Sequence, residues 1–305
     1  MRLRIPMRLI QIARRKAVDA LFNESFSNSW KYVFLPRIRK ILGERPRIDD
    51  LIKLGENLSG IFTSSNVNNQ TNQVKSIGGS HWESLCIWYL NLLSYGTRTI
   101  AVPRGANKSL IPAEIQEGLS AYHKGELVRK QTDPYLISIP ITKQIPEFNI
   151  GLNDNQIIGE YQKYIVRNCE SIRFTLLCCK TNCSDIIKEP MLWNFIYQKE
   201  FASPVIEIGN DKWNPSKLGY LSTAFVTIPV GNIQRWKRSH AQCVRARTFS
   251  GGSYWGRPGN QDLGFGNLSS IFNEKTMLAS RENIGEKAIS DFTNNEFKEL
   301  FRLCE

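Results

Sequence analysis

A chain of 305 residues with 41% hydrophobic and 22% charged side chains has an ordinary globular composition and can fill one large core or two modest ones. Its charge is less ordinary: 40 Lys+Arg against 28 Asp+Glu leaves +12, which favours a polyanionic partner, nucleic acid or an acidic membrane surface. A membrane span is excluded by length, since the longest apolar passage, "CIWYLNLL" at 86–93, is far too short.

The opening "MRLRIPMRLIQIARRK" has positive charge but neither an unbroken apolar stretch nor a small-residue cleavage site. It reads as a basic amphipathic helix, and the expected compartment is the reducing cytoplasm. The seven cysteines then read as thiols. Cys178, Cys179 and Cys183 cluster, but no second close pair and no nearby histidine complete a zinc site.

Residues 1–60 form a basic helical extension, with twelve Lys/Arg against five Asp/Glu in the first fifty. Leu9, Ile12, Ala13, Val18, Leu21 and Phe22 make a helical stripe there. Residues 64–76, "SSNVNNQTNQVKS", are polar and Asn/Gln-rich, as in a linker. A helix follows, with Ser80 and Glu83 spaced as a capping box, an apolar stripe from Trp82 to Leu93, and Gly96 closing it.

Strand patterns occupy 97–103, 134–141, 156–166 and 171–180. A helix restarts at Pro190, strands recur at 204–208 and 219–231, and "NNEFKELFRLC" is a closing helix. The order implies an α/β or α+β domain over 61–305, a mixed central sheet flanked by helices.

In the strand at 171–180, alternation puts Phe174, Leu176, Cys178 and Lys180 on one face and Arg173, Thr175, Leu177 and Cys179 on the other. Both faces are largely apolar, so the strand is central and covered on two sides. Lys180 ends an apolar row. Its amine either meets an anion in a partly dry site or merely reaches solvent from the strand end.

A helix with an acidic residue in "GGSHWESL", a strand at Asp-Pro in "TDPYLISIP", and a strand ending in Lys-Thr-Asn in "LLCCKTNCSD" ahead of "PMLWNFIY" resemble the PD-(D/E)XK nucleases, specifically type II restriction endonucleases. These stretches lie within 78–200, inside an expected catalytic core of about 78–210, and "SGGSYWGRP" resembles a DNA-contacting segment of such enzymes. The resemblance implies Mg²⁺-dependent phosphodiester hydrolysis, with hard acidic ligands for the cation. It assigns Lys180 to the water nucleophile, Asp133 and the Cys179 carbonyl to the metal, and Glu83 as an acid reaching in from the first helix. The position two before the lysine, normally Asp or Glu, is Cys178, a poor Mg²⁺ ligand. Another acid, Glu83 or Glu189, would have to replace it. Asp154 competes with Asp133 as metal ligand. Glu83 is equally explained by the capping box, and Asp133 by a turn before Pro134.

Residues 212–261 contain no Asp or Glu, but hold Lys212, Lys217, Arg235, Lys237, Arg238, Arg245, Arg247 and Arg257 among several aromatics. Proximity to phosphates explains such a run better than a solvated face, which mixes signs. Arg235, Lys237, Arg238, Arg245, Arg247, Tyr254, Trp255 and Arg257 are the candidate DNA contacts, with Gly251, Gly252 and Gly256 allowing close backbone approach.

The combined expectation is a site-specific endonuclease for double-stranded DNA, homodimeric on a palindromic site or one subunit of a heterodimer on an asymmetric one. The alternatives are a nuclease-fold DNA-binding protein that does not cut, and a nonspecific or junction-resolving nuclease.

Overall fold

The apolar stripe near the start of the chain winds helix α1 (Ile5–Asp19) and buries Leu9, Ile10, Ala13, Ala17 and Val18. The computed structural model describes residues 5–64, 72–145, 153–183, 207–229, 233–276 and 284–305. Arg14 lies on the buried face of α1 and is itself fully buried. Its Nη2 donates to the carbonyls of Ser94 (2.9 Å), Thr97 (3.2 Å) and Thr99 (2.7 Å). A buried cation is costly unless acceptors surround it, and the carbonyls past a helix C-terminus are both short of donors and electronegative.

Helices α2 (Glu24–Ser29), α3 (Leu35–Leu42) and α4 (Ile48–Thr63) follow, with one π-helical turn (Trp30–Phe34) joining the first two. Their aromatic side chains enter the main core: Phe26, Trp30 and Phe34 are fully buried, and Trp30 meets Trp88 at 4.6 Å between ring centroids. The Trp30 indole donates to the Arg302 carbonyl (3.0 Å), and the Trp88 indole to that of Phe301 (3.1 Å). The segment expected as an extension is therefore built into the core.

Helix α5 (Asn72–Leu93) begins well before the expected start. Ser80 and Glu83 lie inside it, so they form no capping box, and 72–76 are helical instead of linker. The rest of that proposed linker, 65–71, lies outside the described residues. Trp82, Leu85, Cys86, Tyr89, Leu90 and Leu93 face the core as their spacing requires.

In chain order the strands are β1 (Thr99–Val102), β2 (Ala121–His123), β3 (Glu126–Arg129), β4 (Tyr135–Ser138), β5 (Arg173–Lys180), β6 (Glu207–Ile208), β7 (Tyr220–Thr227), β8 (Ser253–Trp255) and β9 (Gly266–Asn267). The main sheet runs β1-β4-β5-β7-β8-β9, and a small one β3-β2-β6. β4 is antiparallel to β1 and β5, whereas β5, β7, β8 and β9 are mutually parallel. The mixed sheet flanked by helices agrees with the expected class. On β5, Leu177 joins Ala224, Val226 and the α5 side chains on one face. Phe174 and Leu176 join α1 on the other. Edge strand β1 is tied to α5 by Asn91, whose amide donates to the Ala101 carbonyl (2.7 Å) and accepts from its N–H (3.1 Å).

The strand expected at 156–166 is instead helix α6 (Asp154–Arg167). Ile157, Ile158, Tyr161, Tyr164 and Ile165 are buried at helical spacing. Asn153 and Gln156 form a reciprocal capping box that starts it. The helix expected from Pro190 lies outside the described residues. Among the described residues no helix is long and apolar enough to cross a membrane.

Replacing Arg14 by Met keeps its bulk but strands buried carbonyls, and should cost about 3 kcal/mol in urea-denaturation stability. A loss under about 0.5 kcal/mol, the level of a surface substitution, would remove Arg14 from this structural role.

Candidate functional site

One edge of the main sheet collects the charged residues. In the parallel register, Lys180 ends β5 level with Thr227 of β7, and Thr227 is level with Trp255 of β8. Antiparallel β4 starts at this same edge, where the Leu177 N–H donates to the Pro134 carbonyl (2.8 Å). Asp133 therefore stands at the mouth of the strand ends. Its backbone is fixed on both sides: its N–H donates to Gln131 Oε1 (2.9 Å), and its carbonyl accepts from the Asn107 amide (3.1 Å).

Glu83 comes to this edge from α5, and Arg104 from the helical turn Arg104–Ala106 that follows β1. Arg104 Nη2 lies 3.6 Å from Glu83 Oε2 and 3.5 Å from Asp133 Oδ1. The two carboxylate side chains are only 16% and 13% exposed, whereas that of Arg104 is 55% exposed. Burial pushes the Glu83 carboxyl above its usual range. The Arg104 charge and backbone N–H oppose that shift, Asp133 reinforces it by like-charge repulsion, and Lys180 opposes it. Glu83, Asp133 and Lys180, read separately from three motifs, thus act on one another in the fold. Lys180 is half-buried at its strand end.

Arg104 was not among the sequence candidates. It sits in "VPRGA", an unremarkable turn, and only the fold brings it between two carboxylates.

The two cysteines before Lys180 face opposite ways. The Cys179 thiol points to α5, in hydrogen-bond contact with Cys86. That contact, burial, and the fields of Cys86, Glu83 and Asp133 push it well above the usual thiol range. Cys178 packs against the cluster of Phe225, Cys243 and Trp255 on the other face. All seven cysteines are free thiols.

Asp154 is an exposed residue in the first turn of α6, not a residue before a strand. Its charge is not among those acting on Glu83. Glu189 lies outside the described residues. Among the described residues no group of three or more His, Cys, Asp and Glu side chains could hold a metal ion.

The basic segment divides. Arg235, Lys237 and Arg238 are exposed beyond β7, and Arg257 is exposed just beyond β8, all following strand ends of the Lys180 edge. Arg245 and Arg247 lie on the helix Ala241–Thr248. Arg247 is held by the carbonyls of Arg238 (2.6 Å) and Asp262 (2.7 Å), which gives it a structural task. Tyr254 and Trp255 are buried, which corrects their assignment as DNA contacts. The Tyr254 hydroxyl donates to Glu274 (2.6 Å), and Trp255 stacks on Phe265 at 4.6 Å. Gly256 serves helix packing, not DNA approach: a Cβ there would stand 2.6 Å from the Ser59 backbone nitrogen of α4.

No protein-family model matches the chain, and no curated protein matches it.

Because the Glu83 carboxyl is raised in the fold, its charged form is the one that destabilises the metal-free protein. That penalty grows as pH rises through the raised value and is absent below the ordinary carboxylate range. In EDTA, Glu83→Gln should therefore raise the melting temperature at about pH 8, with the gain vanishing towards about pH 4. A lowered melting temperature at the higher pH would mean that the cations outweigh burial.

Proposed function

We propose that this protein is an Mg²⁺-dependent endonuclease that cleaves double-stranded DNA at specific sites, of the PD-(D/E)XK, type II restriction class. The observation that carries the reading is the convergence of Glu83 from α5, Asp133 from the segment leading into β4, and Lys180 from the end of β5 at one sheet edge. These are the elements on which the sequence resemblance rests. The mixed sheet with the lysine strand at its centre is compatible with it.

The donor set suits a hard divalent cation. Two carboxylates already hold a cationic group, the Arg104 guanidinium, between them. Glu83, Asp133 and the backbone carbonyl of Cys179 would hold Mg²⁺, which when bound supplies charge stabilisation at phosphorus and a more acidic water. Lys180, whose charge acts on Glu83, would orient the attacking water and take part in its deprotonation. Arg235, Lys237, Arg238 and Arg257, exposed and following β7 and β8 in the chain, would offer cations to the phosphate backbone. A palindromic site would be met by a two-fold homodimer, and an asymmetric one by a heterodimer containing this chain.

One observation favours a second reading, a DNA-binding protein that does not cut. The position where the resemblance calls for a carboxylate is Cys178, and it packs against apolar side chains.

Incubation with plasmid or phage DNA and Mg²⁺ separates the two. Discrete bands that EDTA abolishes support the nuclease, and specific binding without cleavage in Mg²⁺ or Mn²⁺ supports the second reading. Lys180→Ala should lower the cleavage rate by at least about a hundredfold while leaving salt-sensitive binding in place. Retained cleavage would sink the role given to Lys180. Arg238→Ala or Arg257→Ala should each weaken binding and reduce the salt slope by about one unit.

A further inference from the structure

The contact between Arg104 and its two acids has the wrong geometry for a permanent structural ion pair. Stable arginine–carboxylate pairs use two guanidinium nitrogens in a planar fork, at about 2.7–2.9 Å. Here a single nitrogen, Nη2, is shared by both acids at 3.6 and 3.5 Å. The acids are buried and held by α5 and by the backbone brackets around Asp133, while the arginine side chain is half in water. The fixed partners are the anions and the movable partner is the cation. Asp133 and Glu83 repel one another, and the Arg104 charge opposes the rise in the Glu83 carboxyl more strongly than the Lys180 charge does.

We propose that Arg104 is a displaceable counter-ion: its guanidinium neutralises Glu83 and Asp133 in the resting protein, leaves when a divalent cation takes that place, and then contacts a phosphate of the substrate. The inference rests on the metal reading of this edge. Its chemistry is an exchange of cations with no bond made or broken. It explains why an arginine can stand in a site meant for a metal. A guanidinium cannot be neutralised by losing a proton, so it must move aside, and its exposed stem leaves it free to do so. The move releases one positive charge towards solvent at the edge where Arg235, Arg238 and Arg257 are exposed.

The test measures Mn²⁺ binding to the full chain without DNA, by the loss of the free-ion electron paramagnetic resonance signal. Arg104→Gln should bind Mn²⁺ about tenfold more tightly than the native protein, as expected when a charge-assisted competitor is removed. Arg104→Lys, which keeps the charge, should stay near native, and its melting temperature checks that the turn still folds. Adding Asp133→Asn to Arg104→Gln should abolish the gain. Equal or weaker Mn²⁺ binding by Arg104→Gln, with native binding intact, overturns the counter-ion role and leaves the metal reading standing. Binding absent from both proteins, or unaffected by Asp133→Asn, overturns both. For the second half, Arg104→Gln should lose about one unit of salt slope for DNA binding in Ca²⁺, and an unchanged slope overturns the phosphate contact.

Discussion

Arg14 is the point on which the arrangement of the site depends. One guanidinium, fully buried, gathers carbonyls from the end of α5, the following turn and the start of β1. Those are the two elements that lead to Glu83 and to Arg104. Asn91 repeats the connection one turn earlier in α5 by pairing with both backbone groups of Ala101, which also shields the sheet's edge. The angle between helix and sheet is thus fixed by hydrogen bonds that cannot be exchanged for water, since all of them are buried. Apolar packing alone would permit some sliding of α5 along β1, and a slide of one residue would carry Glu83 away from Asp133.

Midway along α5 the physics is reversed, and unfavourable electrostatics are retained. Glu83 is held in a place that opposes its own ionisation, beside a second acid that opposes it further. The neighbouring thiols add nothing favourable to a charge: Cys179 is held in its neutral form against Cys86. Sites that concentrate such costs are typically those where a ligand is to supply the missing compensation. Arg235, Lys237, Arg238 and Arg257, which follow β7 and β8 in the chain, are exposed cations opposite in sign to these two acids.

Much of this was legible in the sequence, for identifiable reasons. The strand ending in Lys180 and the stripe of α5 are long, regular patterns, and both stand where the pattern put them. The errors share a cause: local rules were applied where a longer-range partner decided. Ser80 and Glu83 satisfied a capping-box spacing, yet the helix had already begun at Asn72. Ile157, Ile158 and Tyr161 look like a strand in a short window, and only the spacing through Tyr164 and Ile165 makes a helix. Tyr254 and Trp255 lay in a basic, glycine-rich run that suggested a surface, but they pair in register with Val226 and Thr227. Arg104 left no trace, because a lone arginine in a turn acquires meaning only from what lies across the fold.

The indole bonds of Trp30 and Trp88 to the carbonyls of Arg302 and Phe301 have a consequence for how the protein is made. The aromatic cluster around these tryptophans is encoded early in the chain, yet its polar edge is satisfied only by residues 301 and 302. During synthesis the cluster must wait, partly open, while some two hundred further residues emerge, and contacts of such separation form slowly. Over that interval the nascent chain presents Phe26, Trp30 and Phe34 without their final cover, apolar surface of the kind through which unfinished chains associate.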